Sequence, residues 1–314
     1  MQIDNINFCL VLDVWEGNLD IDEQELWDGG VRGIYVRLND MNGGHHLDEN
    51  FVIQWAQSKR FVRAPYFVYN PWVSGTVNFA WLKANMPADA HCVVIDNEVR
   101  YPGYSPTTYA GEFEIFRTLC AKQWKVVIYT GGGYVSLMSK WPMADYIWAR
   151  YPGDYYPTDA ALIRITWDQL REKLAKTEWN PGCTLSGTCK MWQISDRYIF
   201  HGGTTRLDLN VFRGSYEDLK EFFDSDPGIV DDPTDEETET VEQLAINYTA
   251  LKSGQIVRDA PGTTGTNKIG TLTKGQVLTG LQDVRILSYN SVWGKFASVG
   301  GWVAFVHGGT VYLK

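Results

Sequence analysis

Hydrophobic positions along this chain fall into short apolar runs, most of them followed by a segment with helical spacing. The runs at residues 8–13, 33–38, 62–69, 92–98, 125–129, 145–150, 190–194 and 206–211 predict eight strands. Helical patterns are expected near residues 49–59, 77–85, 107–123 and 216–223, with a short helix after Gly133. Residues 162–165 form an extra strand candidate, and 168–176 a helical insertion. Strand–helix alternation implies a parallel sheet. Eight such strands ending in acids suggest a (β/α) barrel with its site at the strands' C-terminal face. The later helices look short or missing, so the expected class is α/β, an irregular TIM-like barrel over residues 1–223.

The pattern changes at residue 224. Residues 224–242 hold nine acids, no Lys or Arg, and Pro227, Gly228 and Pro233. Self-repulsion and low hydrophobicity predict an extended linker over 224–243. From 244 to 314 short β-type runs at 256–257, 268–272, 276–279, 293–297 and 301–306 alternate with Gly-rich turns. That describes a small all-β barrel.

Composition adds to this picture. The chain of 314 residues is 44% apolar, enough for a large core, and its thirteen Trp and seventeen Tyr are many. Packing explains most of these rings, and stacking on sugar faces is the sharper use for a few. The net charge is −10, yet residues 243–314 carry seven bases against two acids. No basic stripe marks a nucleic-acid footprint, and the basic C-terminal part favours an anionic polymer such as a bacterial cell wall. Cys9, Cys92 and Cys120 lie in apolar contexts and read as buried thiols. Cys183 and Cys189 flank a Gly-containing loop and leave a local disulfide open. Zinc-ligand spacing is absent, so neither metal nor cofactor is expected. The first residues, Met1-Gln2-Ile3-Asp4-Asn5, have no basic leader pattern, and no apolar run approaches the ~20 residues of a membrane helix. A soluble, monomeric product made in the cytoplasm is expected, with no membrane insertion.

The chemistry concentrates at Val94-Ile95-Asp96-Asn97-Glu98. Strand side chains alternate, so Asp96 and Glu98 face one side, with Cα atoms about 6.6 Å apart, and Asn97 faces the other. Two neighbouring acids cannot both ionise cheaply, and one carboxyl is pushed into its protonated form. Glycoside cleavage needs such a donor beside a charged partner. A solvated strand end is the plain alternative. Asp13 ends the first apolar strand and Asp208 is expected to end the last; first and last strands of a closed barrel are neighbours, so the two acids would approach each other and the Asp96/Glu98 pair. Asp40, just past the second strand, reads as a solvated loop residue.

Taken in order, several motifs resemble the family 25 glycoside hydrolases, the Chalaropsis-type lysozymes. They are Asp13-Val14 with Trp15 and Gly17, Pro65-Tyr66-Phe67, Asp96-Asn97-Glu98, Ile128-Tyr129-Thr130, Trp148-Ala149-Arg150-Tyr151, Met191-Trp192-Gln193, and Asp208-Leu209-Asn210-Val211-Phe212. The chain departs from the family at Arg37-Leu38-Asn39-Asp40-Met41, where Lys-x-Thr-Glu-Gly is usual, and at Phe67, where His is usual. The resemblance implies cleavage of the β-1,4 bond between N-acetylmuramic acid and N-acetylglucosamine in bacterial peptidoglycan. Glu98 would be the general acid/base and Asp96 would orient the substrate's 2-acetamido group for a retaining reaction. Asp13 and Asp208 would hold the electrostatics; Tyr66, Tyr129, Trp148 and Gln193 would line the groove. The C-terminal part resembles a bacterial SH3-type domain through Val257-Arg258-Asp259-Ala260-Pro261-Gly262-Thr263 and Gly301-Trp302-Val303. Such domains bind cell walls; packing on the first domain is the alternative role. Together these imply a phage or prophage endolysin that reaches the wall after release. An exported autolysin, a chitinase-like glycosidase and a non-catalytic glycan-binding protein are the competing readings.

Overall fold

The computed structural model describes residues 8–18, 22–40, 45–151, 163–164, 166–199, 206–223, 239–240, 248–279, 281–288, 291–307 and 310–313. The first part runs β1 (Phe8–Val14), α1 (Glu23–Gly29), β2 (Val31–Arg37), β3 (Asn39–Asp40), β4 (His46–Leu47), α2 (Phe51–Gln57), β5 (Val62–Val68), α3 (Gly75–Asn85) and β6 (Cys92–Asp96). It continues through α4 (Pro106–Ala121), β7 (Lys125–Gly131), β8 (Ala144–Ala149), β9 (Ile163–Arg164), α5 (Trp167–Ala175), β10 (Gly187–Ile199), β11 (Leu207–Arg213) and α6 (Tyr216–Phe223). Helix starts follow local chemistry. Ser74 and Ser105 each accept a backbone N–H of the first turn of α3 and α4, and Thr166 and Gln169 form a capping box on α5.

Eight strands close on themselves in the order β11-β1-β2-β5-β6-β7-β8-β10, with β10 pairing back to β11. The expectation of a fully parallel sheet is corrected at the seam. β11 runs antiparallel to both β1 and β10, while the other pairs are parallel. A direct β10–β11 connection can only reverse direction, since a parallel return needs a crossover. The later helices are indeed reduced: β7 and β8 are linked by a single short 3-10 segment, Gly132–Leu137. Helix α1 and the β3–β4 hairpin, both unanticipated, fill the connections flanking β2.

Period-two alternation divides the barrel. One face of each strand sends Cys9, Val11, Ala64, Val94, Val127 and Ile147 inward. The opposite face packs under the helices, as Phe67, Tyr146 and Trp192 do. Because β11 descends, α6 begins at the bottom of the barrel. There Leu219, Phe222 and Phe223 join the interior cluster and close that end. The top carries the polar groups.

The described residues between 239 and 313 hold β12 (Glu239–Thr240), β13 (Tyr248–Thr249), β14 (Gln255–Arg258), β15 (Lys268–Leu272), β16 (Val277–Leu278), β17 (Leu281–Ser288), β18 (Ser291–Phe296), β19 (Gly301–His307) and β20 (Thr310–Val311), with one 3-10 turn at Ala297–Val299. β17, β18 and β19 are an antiparallel meander, and β14 joins β19 to β15. The expected strands are present; β13, β17 and β20 are additions. The 224–243 linker expectation lies outside the described residues except for β12, which pairs with β17.

Cys9, Cys92 and Cys120 are buried free thiols, and burial pushes Cys9 up to about 11. Cys183 and Cys189 are also free thiols, and Cys189 Sγ donates to Met191 O at 3.5 Å. Among the described residues no helix is long and apolar enough to cross a membrane.

Candidate active site

The polar top of the barrel encloses a cavity of about 210 Å³. Asp13, Tyr35, Tyr66, Val94, Asp96, Glu98, Tyr129, Tyr151, Gln193, Asp196 and Asp208 line it. The four acids expected from the sequence therefore meet in one place. A larger cleft of about 980 Å³ runs between α4 and residues 138–143, but its sole lining carboxylate, Glu114, is bound to Arg117 at 2.6 Å. The smaller cavity holds the chemistry.

Each acid is placed by its strand. Asp13 and Asp208 are Cα partners across the β1–β11 seam. Asp208 lies at the start of β11, not at its end as expected, and reaches the top only because that strand is antiparallel. Asp96 ends β6, and Glu98 follows in the irregular segment after it. Asn97 is fully buried on the other side. Its Oδ1 faces the Tyr109 hydroxyl of α4 at 2.7 Å, and that hydroxyl also lies 3.0 Å from Val99 O. Asn97 N donates to Tyr129 O (3.0 Å) and Asn97 O accepts from Thr130 Oγ1 (3.1 Å). The backbone on both sides of Glu98 is thus fixed. Gly131 supplies space beneath the carboxyl: a Cβ there would stand 3.6 Å from Glu98 Oε1 and only 3.0 Å from Ala149 O.

The electrostatics follow from burial of like charges. Burial raises Asp13, although hydrogen bonds from Asp208, Asn210 and Tyr35 act against the rise. Asp208 is raised well above the carboxylate range by burial and by Asp13, so Asp208 keeps its proton and donates it to Asp13. Asp96 is pushed up to about 7 by burial and Asp13, with Arg37 pulling the other way. Glu98 is pushed up to about 9 by burial and by the charges of Asp96 and Asp13. At neutral pH Glu98 is a proton donor. Asp96 Oδ1 is buried without a hydrogen-bond partner, an acceptor left open on the cavity side.

Tyr66, Tyr129 and Gln193 line the cavity as expected. Burial holds Tyr35, Tyr66 and Tyr129 in the phenol form. Gln193 Oε1 accepts from Tyr129 and, at 3.3 Å, from Tyr151. Trp148 does not line the cavity, which corrects the expectation. Its neighbours Ile147 and Ala149 pack inside the barrel, so alternation turns Trp148 outward, where it is buried. Tyr151, past the strand end, occupies the cavity wall instead. Asp40 pairs with His46 in the β3–β4 hairpin and stays outside.

Tyr35, Tyr151, Asp196 and Asn210 were not anticipated. Asn210 lies two residues after Asp208, on the same face, and bridges Tyr35 OH (2.9 Å) to Asp13 Oδ2 (3.0 Å). The period-two rule applied to Asp208 finds Asn210. It misses Asp196, because the β10–β11 register shifts between Gln193 and Ser195.

With this geometry in view, three solved structures bear on the fold. A family 25 glycosyl hydrolase from Bacillus anthracis matches with 18% identity and a TM-score of 0.54, covering 70% of this chain and 95% of its own. A bacterial lysozyme from Streptomyces coelicolor matches with 17% identity and a TM-score of 0.52, covering 68% and 96%. The fold is that of the family 25 glycoside hydrolases. The Clostridium perfringens spore cortex lytic enzyme SleM matches over 94% of this chain and 95% of its own, with 15% identity and a TM-score of 0.50. No protein-family model and no curated protein sequence matches the chain.

Two outcomes follow for the family 25 fold as built here. Tyr109→Phe leaves the buried Asn97 Oδ1 without its donor and is expected to cost about 1–3 kcal/mol of stability, read from urea unfolding. Glu98 is raised from 4.5 to about 9, so the folded state holds a proton that the unfolded chain releases. Its contribution is present in full below about 4.5 and is lost as pH rises through about 9. Glu98→Gln is therefore expected to gain stability over the wild type on going from pH 5 to pH 8. An equal difference at both pH values would mean that Glu98 titrates normally.

Proposed function

We propose that the chain is a peptidoglycan hydrolase, an N-acetylmuramidase that cleaves the β-1,4 bond after N-acetylmuramic acid. The observation that carries this is a protonated Glu98 beside Asp96, whose Oδ1 is buried and unpartnered, in a cavity with Asp13 and Asp208. Glu98 gives its proton to the glycosidic oxygen as the bond to the anomeric carbon breaks. The acetamido oxygen of the same sugar forms the new bond to that carbon. Asp96 accepts the acetamido N–H at its open oxygen and offsets the positive charge that develops. Water then displaces the acetamido oxygen from the anomeric carbon, that C–O bond breaking as the acetamide re-forms, a proton of the water passes to Glu98, and configuration is retained. Asp13, held by Asn210 and facing Asp208 across the seam, sets the electrostatics beside Asp96. Tyr66, Tyr129 and Gln193 serve as the hydrogen-bonding wall for the sugar.

The domain division is part of the same reading. The two lysozyme-type matches span 68–70% of the chain, about the 223 of 314 residues before the acidic stretch. Residues 244–314, basic and all-β, act as an SH3-type module that holds bacterial wall. The combination fits a phage or prophage endolysin acting on the wall after release.

Mass spectrometry of digested peptidoglycan tests the chemistry. The wild type is expected to release fragments with N-acetylmuramic acid at the reducing end, and Glu98→Gln to lose at least 10²-fold in rate, as the proton donor is gone. Wild-type-like rates in that variant would sink the assignment. A chain ending near residue 225 is expected to cleave soluble glycan fragments but to sediment poorly with purified walls. Equal sedimentation of both forms rejects the targeting role.

A further inference from the structure

The cavity is smaller than the ~300–1,000 Å³ of ordinary small-molecule pockets. It accepts one ring-sized group, and the rest of a polymer must lie on the surface around it. Among the described residues Trp72 is the most exposed tryptophan, at 53%. Large exposed rings are costly unless they meet a partner. Trp72 stands on the connection after β5, whose Val68 pairs with Asp96 and whose next residue, Tyr69, donates its N–H to Asp96 O at 2.9 Å. Tyr101 stands three residues beyond Glu98. The two rings meet at 5.5 Å, and Tyr104 packs edge-on against Tyr101 at 4.9 Å.

The cluster is built rather than incidental. Trp72 N donates to Asn70 Oδ1 (2.9 Å), and buried Asn78 holds Asn70 through its O (2.9 Å) and N–H (3.0 Å). Tyr101 folds over Gly103, where a Cβ would come within 2.5 Å of the phenol ring. Tyr104 N closes that turn onto Tyr101 O at 3.2 Å.

We infer that Trp72 and Tyr101 form a glycan-binding platform outside the cavity, where a β-linked aminosugar one or more units from the scissile bond stacks its C–H face. The inference rests on the glycosidase reading above and adds a site for the chain beyond the reacting sugar. β-1,4-linked pyranoses carry their polar substituents equatorially, so each presents an apolar face to a flat ring. The platform lies on the two connections that leave the C-terminal ends of the adjacent strands carrying Val68 and Asp96, the same barrel end that carries the acids.

The test uses full-length Glu98→Gln protein, which binds without turnover, and isothermal titration with peptide-free glycan strands and with a single disaccharide unit. Trp72→Ala and Tyr101→Ala are expected to reduce the preference for strands over disaccharide about five- to tenfold, one lost aromatic contact each. Gly103→Ala, which displaces the Tyr101 ring while keeping it, is expected to do the same. Trp72→Phe retains most of the preference. An unaltered preference in all of these variants overturns the platform. Failure of the wild type to cleave peptidoglycan strikes the glycosidase reading instead, and the strand-to-disaccharide ratio still decides the platform.

Discussion

The pairing of β1 with β11 is the constraint from which the site follows. It closes the barrel, sets Asp13 opposite Asp208, and reverses the last strand so that an acid near its start reaches the end where the other strands finish. Two carboxyls placed opposite each other in a buried seam cannot both be charged, and one proton is retained between them. The negative charge left on Asp13 raises Asp96, and both raise Glu98. Burial is the largest cause of the proton on Glu98, and the acids that the barrel closure brings beside it add to that rise. Arg37 is the counterweight; it pulls Asp96 down while Asp48 and Glu16 hold it at 2.6 and 3.1 Å.

Inside and outside faces of the strands do different work. The inner face is apolar below and polar above, with α6 sealing the bottom. The outer face positions what the inner face presents. Asn97 is the clearest case: pointing away from the cavity, it ties the residues flanking Glu98 to Tyr109 of α4 and to β7. A solvent-facing residue there would leave Glu98 on a free loop. Here the proton donor borrows the rigidity of a sixteen-residue helix.

Much of this was legible beforehand, and what was not has identifiable causes. Apolar runs locate strands because burial on both faces demands continuous hydrophobicity, and so all eight barrel strands were found. Strand direction is not encoded in such runs, and the antiparallel β11 escaped. Alternation puts Asp96 and Glu98 on one side from spacing alone. The family resemblance, one residue out of register at Trp148, named a ring that alternation turns toward the helices. The irregular β10 defeats alternation at Asp196, since a shifted register breaks the period of two. Asn210 carried a usable signal, being two residues from Asp208 and so on the same face. The exposure of Trp72 carried none, because nothing in the sequence separates a ring on a rim from a ring in a core.

The seam also bears on how the molecule comes into being. Asp13 and its bridging partner Asn210 are 197 residues apart. During synthesis β1 has one unpaired edge until almost the whole first part of the chain has emerged, and contacts this distant form slowly. The acid constellation cannot exist on a nascent or truncated chain that stops short of residue 208. The four acids that line the cavity therefore come together only when the last barrel strand arrives.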